Sequence, residues 1–228
     1  MSRGVPGSRT LGPGFFVSGT DTGVGKTLVA CAIVRGLRAA GRDVGVMKPA
    51  ETGVGPKGPL DARALRDAAG VEDSLEEICP IQLRLAAAPE VAAASEGASI
   101  SASRIRKAFD VLSRRHDRMV VEGAGGLLVP LAEGVTMADL AGRLGLPVVL
   151  VARAALGTIN HTLLSLEALE ARGLALAGVV ISHADGALTG ADARNLAALR
   201  GRLGARLVGE IPPLAPGEQP SPQAITLA

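Results

Sequence analysis

The sequence predicts an α/β protein of three layers, a mostly parallel central sheet with helices on both faces. Short apolar runs rich in β-branched residues recur along the chain, longer helical patterns separate most of them, and a glycine-rich turn links the first run to the first helix. The strand candidates are Phe15 to Val17, Val44 to Met47, Met119 to Val121, Val148 to Val151, Val179 to Ile181 and Leu207 to Val208. Strands covered on both faces need apolar side chains at every position, and these runs are continuous rather than alternating. Helical spacing predicts Lys26 to Ala40, Ala102 to Arg115, Met137 to Leu144, Asn160 to Arg172 and Ala191 to Leu203. The stretch Glu51 to Ser99 is less regular. It carries turn signals at Gly53, Gly55-Pro56 and Gly58-Pro59, a short helix from about Asp61 to Ala69, and the character of a functional loop.

A chain of 228 residues suits one α/β domain spanning residues 1–228. With 24 basic against 22 acidic residues it has no long-range field favouring nucleic acid or an anionic membrane. Three Phe, no Tyr and no Trp leave little to stack exposed bases on, so no nucleic-acid partner is expected. Cys31 and Cys79 match no zinc or redox spacing and read as two buried thiols. Residues 1–13, rich in Gly, Pro, Ser and Arg, lack the apolar core of a signal peptide and read as a flexible tail. No apolar run reaches membrane-spanning length, so a cytoplasmic protein is expected. Residues 215–228, with three prolines, read as a tail or flap. The run Arg114 to Arg118 reads as a solvated helix end with its cations at the negative pole of the helix dipole.

The chemistry concentrates after the strands. Gly19-Thr20-Asp21-Thr22-Gly23-Val24-Gly25-Lys26-Thr27 follows the first strand and opens the first helix, the context in which such a loop cradles nucleotide phosphates on its backbone amides. Its first glycine stands one residue before the strict spacing, which would place it at Thr20. Lys26 supplies a full charge near the transferred phosphoryl group, and the Thr27 hydroxyl is a hard oxygen for Mg²⁺. Lys48 follows the second strand and can face the same crevice. Glu122 ends the third strand ahead of Gly123-Ala124-Gly125-Gly126, where a carboxylate is the expected second ligand of that Mg²⁺. Asp61 heads the short helix and could be its N-cap, a further metal ligand, or both. Gly157-Thr158-Ile159-Asn160 opens a helix whose amides could bind a carboxylate or be capped by Thr158. His116, His161 and His183 have no metal-ligand spacing and read as capping or surface residues.

The phosphate loop, Lys48-Pro49, Thr52-Gly53, Glu122 to Gly126 and Leu156 to His161 together resemble the dethiobiotin synthetase family, in order and spacing from about Phe16 to Pro213. The early glycine at Gly19 is that family's own pattern. The resemblance implies the P-loop NTPase fold, a homodimer with Mg²⁺, and an ATP-dependent carboxylation and ring closure in biotin synthesis. CO₂ or bicarbonate would join both amines of 7,8-diaminononanoate through a carbamate and a carbamic-phosphoric anhydride. By matching position, Lys48, Lys26 and Thr22 would act on the reacting groups, and Thr27, Asp61 and Glu122 would ligate the metal. Gly23, Val24, Gly25, Lys26, Thr27 and Leu28 would hold the nucleotide with Gly123, Ala124 and Gly125. Pro212, Pro213, Leu214 and Glu218 would approach base and ribose. Thr52 would bind substrate, and Gly157 to Asn160 would take the substrate carboxylate of the neighbouring subunit. His183-Ala184 stands where many members have Asn-Asp to read adenine, so the base contact differs and another nucleoside triphosphate stays open. Glu90 follows Pro89 where a histidine is common.

Two other readings share the fold. A partitioning or septum-positioning ATPase carries a signature lysine where this chain has Asp21, and a membrane helix or basic surface that is not evident here. A cobyrinate-type amidating ligase needs a glutamine-hydrolysing domain for which this length leaves no room.

Overall fold

The computed structural model describes residues 14–184, 188, 190–215 and 217–227. β1 (Gly14–Gly19) leads through the phosphate loop into α1 (Lys26–Ala39), followed by β2 (Val44–Met47) and the short β3 (Ala50–Thr52). Next come α2 (Leu60–Ala69), α3 (Leu75–Ile78) and β4 (Ile81–Leu83), with β4 parallel to β3. α4 (Pro89–Ser95) and α5 (Ala102–Arg115) precede β5 (Arg118–Gly126), the small hairpin of β6 (Pro130–Ala132) and β7 (Val135–Thr136), and α6 (Met137–Leu144). β8 (Val148–Arg153), α7 (Thr158–Ala171), β9 (Leu176–Ser182), α8 (Gly190–Leu203) and β10 (Leu207–Ile211) complete the order.

Six strands form the central sheet in the order β10-β9-β8-β1-β5-β2, every neighbouring pair parallel. They are the six runs singled out by their apolar character, and each continues for one or more residues beyond its run except β2. Two cores flank the sheet. Phe16, Met119, Val121, Leu150 and Ile181 face one side against Phe109, Leu112, Leu140 and Leu199. Phe15, Val17, Val46, Val120, Val151 and Val180 face the other against Val29, Ile33 and Leu65. The alternation along Phe15-Phe16-Val17 is the strand period, with apolar partners on both faces. Each such fully buried aliphatic or aromatic side chain contributes about 1.5–3 kcal/mol.

Helix ends follow local capping. Ser101 accepts from the Arg104 amide at 3.2 Å and starts α5. Thr136 and Asp139 form a reciprocal capping box at α6. α7 starts two residues before the expected Asn160, since Gly157 in the left-handed region, φ 89°, forms its N-cap.

The end of α5 differs from a merely solvated helix terminus. His116 lies between Asp43 (Nδ1 to Oδ1, 3.0 Å) and Asp73 (Nε2 to Oδ2, 2.8 Å), while Arg115 pairs with Asp73 and Glu77. These contacts tie α5 to the start of β2 and to the turn between α2 and α3. Burial disfavours the charged imidazole, yet the two carboxylates outweigh it and raise its pKa. A folded pKa above the unfolded one gives stability that is complete below the unfolded value and fades as pH rises through the folded one. Denaturant unfolding is therefore expected to show stability declining above about pH 6.5, with His116→Ala flattening that slope. An equal slope in the variant would exclude the clamp.

The C-terminal segment packs back on the domain. Gly209 and Ile225 form an antiparallel bridge, the Thr226 amide donates to the Val208 carbonyl at 2.8 Å, and Pro222 lies against Gly36 on α1. Residues 1–13 fall outside the described residues. No helix among the described residues is long and apolar enough to cross a membrane.

Candidate active site

Because the six strands run the same way, their carboxyl ends meet along one edge of the sheet, where a parallel α/β fold offers a crevice. The phosphate loop bends through Gly23 and Gly25, and Gly25 at φ 88° turns the chain into α1 as its N-cap. Gly19 has a different reason. A methyl there would press on the Asp21 carbonyl and on Lys26 Nζ, so the early glycine makes room for that ammonium. Lys26 Nζ donates to the Asp21 carbonyl at 2.9 Å. Burial lowers the pKa of Lys26, with the Glu122 carboxylate opposing.

Lys48, just beyond β2, is almost fully buried between two carboxylates. Its Nζ lies 2.5 Å from Glu122 Oε1 and 2.8 Å from Asp61 Oδ2. Burial works against its charge, but Glu122 and Asp61 hold its pKa above the ordinary lysine value. Glu122 sits inside β5 rather than after it, since the strand continues to Gly126. Its Oε1 accepts from Thr27 Oγ1 at 3.0 Å, and its Oε2 is buried without a partner. Burial raises the pKa of Glu122 against the pull of Lys48. Asp61 is not the N-cap of α2, a position held by Pro59; its side chain turns to Lys48. Burial opposes its ionisation, and Lys48 overcomes this to lower its pKa.

The first turn of α2 is capped by a residue that carries no motif. Glu51 accepts from the amides of Asp61 and Ala62, each at 3.0 Å, and so fixes the helix that carries Asp61. Arg153, at the end of β8, donates to the Thr22 carbonyl at 3.2 Å and lies 3.7 Å from Asp21, bracing the first half of the loop. The signal available for both was their position beside a strand end.

A cleft of about 360 Å³ brings together Thr22, Gly23, Gly25, Lys26, Thr27, Lys48, Thr52, Asp61, Glu122, Ala124 and Gly125. Val24 is fully buried, Leu28 packs on the core beneath the loop, and Gly123 offers its carbonyl to Lys48 Nζ at 3.4 Å. Gly157 to Asn160 are not among the cleft's lining residues. Thr158 does not cap its helix: its hydroxyl is buried and unpartnered, while Asn160 is exposed. His183, also at a strand end, is mostly buried with Nε2 2.6 Å from Glu210 Oε1, and Glu210 binds Arg200. Pro212 and Pro213 are exposed beyond β10, Leu214 packs on the core, and Glu218 closes a local turn by accepting from the Ala215 amide at 2.8 Å. Cys31 and Cys79 are free and buried, and burial pushes each thiol up to about 12.

Among the described residues no group of three or more His, Cys, Asp or Glu side chains is arranged for a metal. Thr27, Asp61 and Glu122 offer instead one hydroxyl and two carboxylates, hard oxygens suited to a Mg²⁺ that shares its shell with phosphates and water. The unpartnered buried Glu122 Oε2 fits that use.

A phosphate loop between the first strand and first helix of a parallel sheet, with a hydroxyl and carboxylates at its mouth, defines a P-loop NTPase. The MinC:MinD cell division complex of Aquifex aeolicus shares this fold, with a TM-score of 0.53 at 15% identity over 88% of this chain and 81% of that one. So does the signal recognition particle receptor FtsY of Elizabethkingia anophelis, with a TM-score of 0.55 at 14% identity over 100% and 63%. A family model described as an AAA domain matches residues 13–221. ATP-dependent dethiobiotin synthetase BioD of Anaeromyxobacter dehalogenans is 56% identical over 75% of this chain and 76% of its own length. That of Aromatoleum aromaticum is 44% identical over 93% and 96%. The chain belongs to the ATP-dependent dethiobiotin synthetase family.

Proposed function

We propose that this chain is an ATP-dependent ligase of biotin biosynthesis that closes the ureido ring of dethiobiotin from 7,8-diaminononanoate, CO₂ and ATP, releasing ADP and phosphate. The observation that carries the reading is the convergence of Lys26, Lys48, Thr27, Asp61 and Glu122 in one cleft at the carboxyl edge of the sheet. One substrate amine captures CO₂ as a carbamate, losing a proton. A carbamate oxygen attacks the γ-phosphorus and ADP departs; the second amine then attacks the carbamoyl carbon, losing a proton, and phosphate departs as the ring closes.

Charge accumulates on phosphate and carbamate oxygens in these steps, so fixed cations matter more than an acid or base. Lys26, whose ammonium is positioned by donating to the Asp21 carbonyl, would hold the phosphate end, and Lys48 presents an ammonium whose pKa is raised above the ordinary lysine value. Thr27, Asp61 and Glu122 would hold Mg²⁺, which when bound neutralises phosphate charge. Thr22 and Thr52 line both the phosphate cleft and the cavity beside it, which supports a role in binding substrate or phosphates. The substrate carboxylate reaches Gly157 to Asn160 of a second copy, an arrangement supported by the exposed Leu128, Leu156 and Leu164. His183, Pro212, Pro213, Leu214 and Glu218 border the base, and the engagement of His183 with Glu210 leaves its base contact unlike an Asn-Asp pair.

Incubation with 7,8-diaminononanoate, bicarbonate, Mg²⁺ and each of ATP, CTP and GTP is expected to give dethiobiotin by mass, from a dimer in light scattering. Absence of product with every nucleotide rejects the reading. A monomer that makes product at full rate removes the second subunit from it.

A further inference from the structure

A cavity of about 380 Å³ opens beside the phosphate cleft and shares Thr22, Thr52, Ala124 and Gly125 with it. Its far wall is Ala86, Ala87, Ala88 and Pro89, facing Val129. Apart from Pro89, which begins α4, this wall belongs to neither helix nor strand: residues 84–88 form the connection between β4 and α4. The loop is held from two directions. Gly53 and Val54, just after Thr52, donate to the carbonyls of Leu85 and Leu83 at 3.3 and 2.9 Å. From the other side, Glu96 Oε1 accepts from the amides of Arg84 at 2.7 Å and Leu85 at 3.0 Å.

Glu96 is the C-cap of α4, where a carboxylate meets the negative pole of the helix dipole. Helix stability alone gives no reason for an acid there; two charge-assisted bonds to the loop do. Those bonds lower its pKa, so the acceptor is ionised at neutral pH. The Arg84 guanidinium, 3.6 Å away, is largely exposed and adds little.

We propose that Glu96 is a positioning residue for the diamine substrate: it fixes the loop at residues 84–88 so that its alanines wall an apolar chamber for the substrate's methylene chain, beside the cleft that receives the phosphates. The proposal rests on the functional reading above. The small side chains leave width for an unbranched chain, and the shared Thr22 and Thr52 place its amine end next to Lys48 and Lys26.

Steady-state kinetics of Glu96→Ala are expected to show KM for 7,8-diaminononanoate raised about tenfold, with KM for ATP and ATP binding by calorimetry unchanged. Glu96→Gln keeps a carbonyl acceptor and is expected to recover most of that loss. Ala86→Leu, at an exposed position in the wall, fills the chamber and is expected to raise the same KM with ATP binding again unchanged. An active wild-type chain with unchanged diamine KM in Glu96→Ala and Ala86→Leu overturns the proposal alone. Equal rises for ATP and diamine overturn it in favour of a general loss of structure. A wild-type chain that makes no dethiobiotin ends the functional reading and this proposal with it.

Discussion

Lys48→Ala is expected to lower kcat about 10³-fold while nucleotide affinity changes by no more than a few-fold. The ammonium stands between Glu122 and Asp61 at the mouth of the phosphate loop, and its charge matters most when negative charge builds on the transferred group. The same change leaves Glu122 buried beside Asp61 with no cation between them. Breaking a buried pair by removing one partner costs about 3–5 kcal/mol, and the partial exposure of Asp61 argues for the lower end. Calorimetric melting and single-turnover kinetics on one preparation separate the two losses. A folded variant that turns over at the wild-type rate removes Lys48 from the chemistry.

Gly25→Ala is expected to weaken ATP binding by about 10²-fold in titration calorimetry, for two additive reasons. Its φ of 88° lies in the left-handed region, where a side chain costs about 1–2 kcal/mol. A methyl there would also collide with Ser182 Oγ and touch the Ala184 methyl. The Ser182 hydroxyl is buried without a partner and can rotate, but the backbone cannot relax without turning the loop amides away from the phosphates. The double variant Gly25→Ala with Ser182→Ala separates strain from collision. Unchanged affinity in the single variant would show that the amides do not depend on this turn.

The central sheet was legible because its inner strands are buried on both faces and therefore continuously apolar, as Val148 to Val151 illustrates, whereas the edge strand β10 is only partly buried and shows a run of two apolar residues. α5 and α6 were legible to the residue because Ser101 and Thr136 cap them. β3, β4 and the β6–β7 hairpin were not, since runs of two or three residues carry no period. In the site, the loop, Lys48 and Glu122 announced themselves by residue type at the end of an apolar run. Glu51, Arg153 and Glu96 did not, because each acts by binding backbone amides or carbonyls whose identity leaves no mark on the sequence. His116 is the C-cap of α5, in keeping with the capping role, but its clasp by two aspartates was hidden for the same kind of reason: they lie more than 40 positions away.

The grouping of Lys48 with Glu122 and Asp61 also bears on when the work of building the site is done. These charges leave water as the chain folds, not as substrates arrive, so each catalytic cycle begins with dipoles already aligned and little solvent left to rearrange. The expense of that preorganisation falls on the resting fold, which carries a desolvated cluster that an apolar core would not need.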